Sequence, residues 1–425
     1  MFGNTTGRAT LVNNGAFDHT LSGAFDVSSD TNLAQFTSSN NGGSITVTGD
    51  ITGTLTNSAV LFVRGTSTNA NNRLLGSVNL TGGNLAKTDA GTWLVGASGK
   101  TYSWVNTLHA NGTLRMGAAG VLPSTSILIL GENAARTPIL DINGFNQTVA
   151  GITYNLGTGT RTITNADVVN AAVLTVNNST DFTTLGSVGN QIVLTGNMGL
   201  TKQGAGKLTL TGANTYTGAT NVTDGTLLIN GSTSSTSIVT VDSVATLGGS
   251  GTVGGNTTIS GTHSPGNSPG IITHSGNLTY EAGASVLWEL VANATTVRGT
   301  DFDGINVGGV LDFNGSTTLN LNFQFGSSAV EWSDAFWASS YTGTGGWLVY
   351  SGATSLDGFG NLALNLPAAW LDENGDTLAS ARAGAAFSLF QDTNNIYLNY
   401  SAVPEPNVAA LIGALGGILL LRRRR

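Results

Sequence analysis

Apolar and small polar residues alternate along most of this chain. In the run from Ser44 to Thr56, Ile45, Val47, Ile51 and Leu55 are separated by Thr, Gly and Asp. A period of two predicts strands whose side chains point alternately inward and outward. Similar stretches recur at Ser77 to Leu80, Thr92 to Val95, Ile127 to Leu130, Leu174 to Val176, Ile192 to Thr195, Leu208 to Thr211 and Thr226 to Ile229. Gly, Asn and Asp lie between them, the residues that tolerate the backbone of tight turns. No amphipathic helical period precedes the C-terminus. Many short strands without covering helices leave a sandwich, a barrel or a β-helix.

Internal repetition favours the last. Leu200 to Gly231 reads LTKQGAGKLTLTGANTYTGATNVTDGTLLING, and Leu85 to Gly117 reads LAKTDAGTWLVGASGKTYSWVNTLHANGTLRMG. Both carry a Leu-x-Lys start, a strand after a glycine, a Thr-Tyr-x corner and a closing Gly-Thr-Leu strand. A repeated supersecondary unit buries its apolar face against its neighbours and builds a one-dimensional stack. Leu208, Leu210, Leu227 and Ile229 are therefore expected inside stacked coils.

On Lys202, Gly204, Gly206, Leu208, Leu210, Gly212, Asn214 to Gly218 and Gly225 to Leu227, the clearer unit resembles the autotransporter-associated β-strand repeat; Lys207 stands where that family usually has Thr. The following Leu247 to Val253 and Ser264 to Gly270 segments are also similar to passenger regions carrying the repeat. The resemblance implies an all-β fold, a right-handed parallel β-helix or solenoid of the pectin lyase-like kind. Domain organisation is then a β-solenoid over 1–295, with units at 200–231 and 85–117, a β-rich C-terminal region over 296–400 that closes it, and a tail over 401–425.

Composition agrees. There are 60 glycines, and only 9% of residues are charged, against about 25% in an average domain. The net charge of −8 includes four terminal arginines, so the body is more acidic still. An acidic body lacks the basic face that nucleic-acid binding needs. The absence of cysteine rules out a disulfide framework and thiolate metal sites. Met1 to Arg8 carries neither the basic nor the apolar part of a secretory signal, so the true start is expected upstream or elsewhere.

The tail is the most specific feature. Val403, Pro404, Glu405 and Pro406 precede an apolar run from Val408 to Leu421, which ends on Arg422, Arg423, Arg424 and Arg425. The run is shorter than the roughly 18 to 20 residues of a stable span, and it contains three glycines. It predicts a short C-terminal transmembrane-type helix that inserts marginally, with the arginines on the cytoplasmic side. The two prolines keep the preceding peptide extended and accessible. This order resembles the PEP-CTERM sorting signal, also known as the ice-binding-protein C-terminal domain. The resemblance implies an exosortase-type transpeptidase as partner, cleavage near Pro404 to Pro406, transient membrane insertion, and delivery to the envelope or extracellular matrix of an exopolysaccharide-producing bacterium.

Motifs that spell catalysis lack its context. Gly266-Asn-Ser268-Pro-Gly270 fits a nucleophile elbow, but the residue after the serine is Pro269, which has no N–H for an oxyanion. Gly249 to Gly254 spells a dinucleotide fingerprint with no helix to receive a phosphate. Gly99-Lys100-Thr101 lacks the first glycine of a phosphate loop. Asp372-Glu-Asn-Gly-Asp376 begins like a calcium loop but has Thr377 and Ala383 where Gly and Glu are needed, which leaves an exposed acidic turn. His19, His109, His263 and His274 show no metal-ligand spacing and are read as solvated or packed. Asp301 and Asp303, two apart, are expected on one face without a partner base. The tryptophans of the last third are read as core or cap packing rather than sugar stacking. No catalytic, cofactor or metal residues are nominated.

The sequence therefore points to an exported, non-enzymatic structural or adhesive surface protein. The competing readings are an ice-binding or glycan-binding solenoid and a polysaccharide-degrading β-helix enzyme. Thr46-Val-Thr48, Thr52-Gly-Thr54 and Thr215-Tyr-Thr217 suggest ice binding, but their sequence spacing is too irregular for one copy per coil.

Overall fold

The computed structural model describes residues 8–28, 33–55, 59–132, 135–155, 157–183, 191–323, 330–366, 371–372 and 374–402. Short strands stack in parallel into long sheets. In the first part of the chain a seven-stranded sheet runs from Arg8–Asn13 to Gly151–Tyr154, an eight-stranded one from His19–Leu21 to Ile192–Gly196, and a four-stranded one from Phe25–Asp26 to Tyr102–Ser103. Three further sheets continue the stack. Nine strands run from Gln147–Val149 to Ser355–Asp357, eight from Phe182–Thr183 to Leu362–Asn365, and six begin at Thr252–Val253. One turn of chain visits each face in order. Thr220–Val222 is followed by Gly225–Ile229, and then by Ser232, which bridges Ala213 in the coil before and Thr252 in the coil after. These are the coils of a β-solenoid.

Register decides which residues form the core. Leu208 pairs with Leu227 and Leu227 with Leu247, while Leu210 pairs with Ile229. Leu208, Leu210, Leu227 and Ile229 are all buried, as the alternation requires. Burial of each such side chain contributes on the order of 1.5–3 kcal/mol, so a column of them holds successive coils together.

Two lysines interrupt these apolar columns. Lys202 pairs with Val176 below and Val222 above, and it is fully buried. Its ammonium donates to the carbonyls of Gln203 at 2.9 Å, Gly204 at 2.6 Å and Asp224 at 3.1 Å. Lys87 repeats the arrangement, donating to Thr88 and Asp89 at 2.7 Å and to Asn111 at 3.0 Å. The lysine of the Leu-x-Lys start is thus a corner clamp that ties its own turn to the next coil. Gly225 belongs to the same corner in a left-handed backbone, φ +64°, and a Cβ there would lie 2.3 Å from the Gly204 carbonyl oxygen. Only glycine fits such a place.

The opposite corner also repeats, through a different residue than the spelling suggests. Tyr216 hydroxyl meets Thr220 Oγ1 at 2.5 Å, and Thr220 meets Ser237 Oγ at 3.0 Å. In the weaker unit Trp104 Nε1 donates to Thr107 Oγ1 at 2.8 Å, and Thr107 meets Ser126 at 3.2 Å. Trp104 rather than Tyr102 is the counterpart of Tyr216. Tyr102 is only half-buried, and its hydroxyl meets the backbone of Ala97.

The change of texture after Glu281 does not end the stack. Ser285–Glu289, Thr317–Asn322 and Leu362–Asn365 extend one face in parallel register. Closure comes later, where Ile396–Ser401 pairs antiparallel with both Trp347–Ser351 and Ala386–Gln391. Against this hairpin pack Trp332, Trp337 and Trp347 with Phe387 and Tyr400. These three indoles and Trp288 are buried, which makes them core and cap residues. Among the described residues the only α-helix is Leu378–Ala381, four residues long, and no helix is long and apolar enough to cross a membrane. The helix expected over Val408 to Leu421 lies outside the described residues.

Candidate functional site

The strand Thr262–Pro265 leads into the corner Ser264 to Gly270, whose backbone is anchored at both ends. Gly266 N–H donates to the Gly249 carbonyl at 2.9 Å, and Gly270 N–H donates to Asp303 Oδ1 at 2.8 Å. Asp303 is fully buried, and its Oδ2 accepts the Glu289 N–H at 3.0 Å. Burial pushes the Asp303 carboxyl up to about 8; the charge of Glu289 adds to the rise, while the two N–H donors oppose it. Ser268, held at φ +75°, donates its hydroxyl to Glu289 Oε2 at 2.6 Å. Asn322 Nδ2 donates to the other carboxylate oxygen at 3.3 Å.

These groups border a cleft of about 360 Å³ on the outer surface of the coils, with Lys207, Leu228 and Ser264 on its other side. The elbow spelled by Gly266 to Gly270 is a corner between coils. The N–H of Gly270 is engaged by Asp303, Pro269 has none, and the Ser268 proton is directed at a carboxylate. The partner acid that matters, Glu289, went unread in sequence because it lies on the next coil of the same face as Ser264. Asp301 and Asp303 do not share a face: Asp301 caps the Val297 N–H at 3.2 Å, while Asp303 turns inward to Glu289. Asp372 is likewise buried rather than exposed, because its carboxylate accepts the N–H groups of Asn374, Asp376 and Trp332.

Three of the four histidines are buried. His263 and His274, inward residues of two different faces, meet Nε2 to Nε2 at 3.3 Å. His274 Nδ1 reaches Thr257 at 3.0 Å, His263 Nδ1 reaches the Tyr280 hydroxyl at 2.6 Å, and Tyr350 donates to Tyr280 at 3.2 Å. The chain from Thr257 to Tyr350 spans the interior and satisfies every ring nitrogen. Burial depresses His274 to about 3 and His263 well below its ordinary value. Both rings are neutral, each giving one hydrogen bond and accepting one. No group of three or more His, Cys, Asp or Glu side chains with metal-holding geometry exists among the described residues.

The outer surface carries a feature that sequence spacing conceals. Thr148 pairs with Thr175, Thr175 with Thr201, Thr201 with Asn221, Asn221 with Thr240, Thr240 with Thr258 and Thr258 with Thr279. All point outward in one column, at the strand spacing of about 4.8 Å. Thr226, Thr246, Thr262 and Ser285 form a second column on the neighbouring face. These are columns of single threonines, and the Thr-x-Thr spellings do not join them: Thr46 pairs with Arg73 and Thr52 with Asn79. Corner loops of variable length scramble their sequence spacing, while the sheet hydrogen bonds restore it. Thr215 and Thr217 lie in a corner and belong to neither column.

Val403, Pro404, Glu405 and Pro406, together with Arg422, Arg423, Arg424 and Arg425, lie outside the described residues. No curated protein matches the chain. Residues 200–229 match the family model described as passenger-associated-transport-repeat, and this autotransporter-type unit within a stack of parallel coils points to a secreted or surface β-helical protein.

Proposed function

We propose that this protein is sorted to the cell surface or extracellular matrix, where its folded body serves as an extended, non-enzymatic scaffold or adhesive element. The observation that carries the reading is the parallel stacking of the described strands, first in the sheets that begin at Arg8–Asn13 and His19–Leu21 and then in those that end at Ser355–Asp357 and Leu362–Asn365, an arrangement that builds length. A solenoid of this kind presents one outward row per face, suited to repeated weak contacts with a polymer. Tail features support the sorting step. Val403 to Pro406 would be the segment read by an exosortase-type transpeptidase, and Arg422 to Arg425 would hold the unprocessed chain at the membrane. Exopolysaccharide is the proposed matrix partner; nucleic acid is not, given the acidic body.

The test is fractionation of producing cells. Neutralising Arg422 to Arg425 is expected to impair retention, whereas alanines at Pro404, Glu405 and Pro406 are expected to block processing and leave insertion intact. Loss of both together in either variant would defeat the sorting scheme. A second reading, ice binding, gains from the in-register threonine column. Thermal hysteresis of the purified body, abolished when Thr201, Thr240 and Thr258 become lysine, would replace the adhesive reading with this one.

A further inference from the structure

We infer that the cleft beside the Ser264 to Gly270 corner is a binding subsite for one or two rings of a neutral, hydroxyl-rich pyranose chain. The inference rests on the matrix reading above for the source of such a polymer. Glu289 is the central group. It is only 7% exposed, yet its side chain borders the cleft. An ionised carboxylate offers about four acceptor positions, and Ser268 and Asn322 occupy two. The remaining capacity suits a pair of adjacent hydroxyl donors. Its strand is pinned through Asp303, which joins the backbones of Gly270 and Glu289, so the carboxylate is held in place before any ligand arrives.

The rest of the lining complements that group. Leu228 supplies an apolar wall for the C–H face of a sugar ring, while Ser264 and the exposed Asn267 supply further hydrogen-bonding groups at the rim. The volume, about 360 Å³, falls in the lower part of the roughly 300–1,000 Å³ range of small-molecule sites. Lys207, the cation on the opposite wall, is already paired with Asp181 at 3.2 Å, so a carboxylated sugar would set its charge against the buried Glu289 and be repelled. Uncharged hydroxyls bring no such cost. Thr262 and Ser285, hydrogen-bonded to each other at 3.1 Å on the same face, continue the hydroxyl surface alongside.

Saturation-transfer NMR on the full chain tests this, with glucose, mannose and galactose oligosaccharides and a hexuronate oligosaccharide as probes. Glu289→Gln keeps the shape and removes the charge; Asn267→Trp blocks the mouth from an exposed position at the loss of one exposed hydrogen bond, Nδ2 to Ser250 Oγ at 2.8 Å. The expected result is transfer to at least one neutral oligosaccharide, a Kd raised at least tenfold by each variant, and no transfer to the hexuronate. Absence of transfer to any neutral probe from folded protein, transfer that both variants leave unchanged, or preference for the hexuronate would each overturn the assignment. Surface display is read separately by cell fractionation, so failure of the cleft and failure of the matrix reading are distinguishable.

Discussion

A lysine in an apolar column is the residue that most departs from simple alternation. Burial draws Lys87 down to about 7 and Lys202 to about 8. Three carbonyl acceptors surround each head group, however, and only the charged ammonium has three N–H donors to meet them. Replacing Lys202 with methionine keeps much of the volume and removes the ammonium donor from the Gly204 and Asp224 carbonyls, while Gln203 keeps the Asn178 N–H at 3.1 Å. A loss of about 1–3 kcal/mol in denaturant unfolding is expected; unchanged stability would show that the clamp is dispensable. At Gly225 even one methyl is too much, since it would meet the Gly204 carbonyl in a left-handed backbone. Gly225→Ala is expected to cost more than the ~1 kcal/mol of an ordinary unfavourable backbone exchange.

The buried histidines fix how stability responds to pH. Burial holds His109 and His274 down to about 3, and the Lys87 charge adds to the effect at His109. In the unfolded chain each would bind a proton near about 6.5. Folded-state pKa values are depressed, so the stability due to neutral rings is whole above about 6.5 and drains as pH falls toward 3, by about 1 kcal/mol per pH unit for each ring. Asp303 has the opposite sign. Its raised pKa adds a penalty as pH climbs from about 4 to 8. Chemical unfolding at pH 6, 5 and 4 should therefore show a steep loss of stability. His274→Gln should make that slope shallower by about one proton; an equal slope would place the titrating groups elsewhere.

At the scale of elements, columns of inward side chains do the holding. Leu227 touches a leucine on each side in register, Leu208 and Leu247. Leu227→Ala should destabilise by about 2–5 kcal/mol, measured by thermal or denaturant unfolding, and a loss below about 1 kcal/mol would contradict the register. Much of this level was legible in the sequence, because Ile45, Val47, Leu208 and Leu210 announce strands by period alone. Contacts between coils were not. Glu289 and Ser268, and the threonines from Thr148 to Thr279, meet only after corners of unequal length have been folded away, and His263 and His274 meet only across the interior of one coil. The Thr-Tyr-x spelling misled for the same reason: Trp104 fills the corner that Tyr216 fills in the clearer unit, since contact with the next threonine decides the role.

For the whole molecule, composition and architecture express one design. A chain with few charges and many glycines can pass tight corners repeatedly, and parallel stacking turns each pass into length. Interior aromatic residues concentrate where the stack must stop, at Trp332, Trp337, Trp347 and Tyr400, and the antiparallel hairpin there pairs with the edge of Trp347–Ser351, which would otherwise invite further pairing.

Surface display of that body is the central claim, and peptides released by brief proteolysis of intact producing cells, identified by mass spectrometry, test it most directly. The account predicts peptides from the coiled region without lysis, and a mature chain lacking Val408 to Arg425. Coil peptides recovered only after the cells are broken open would contradict it.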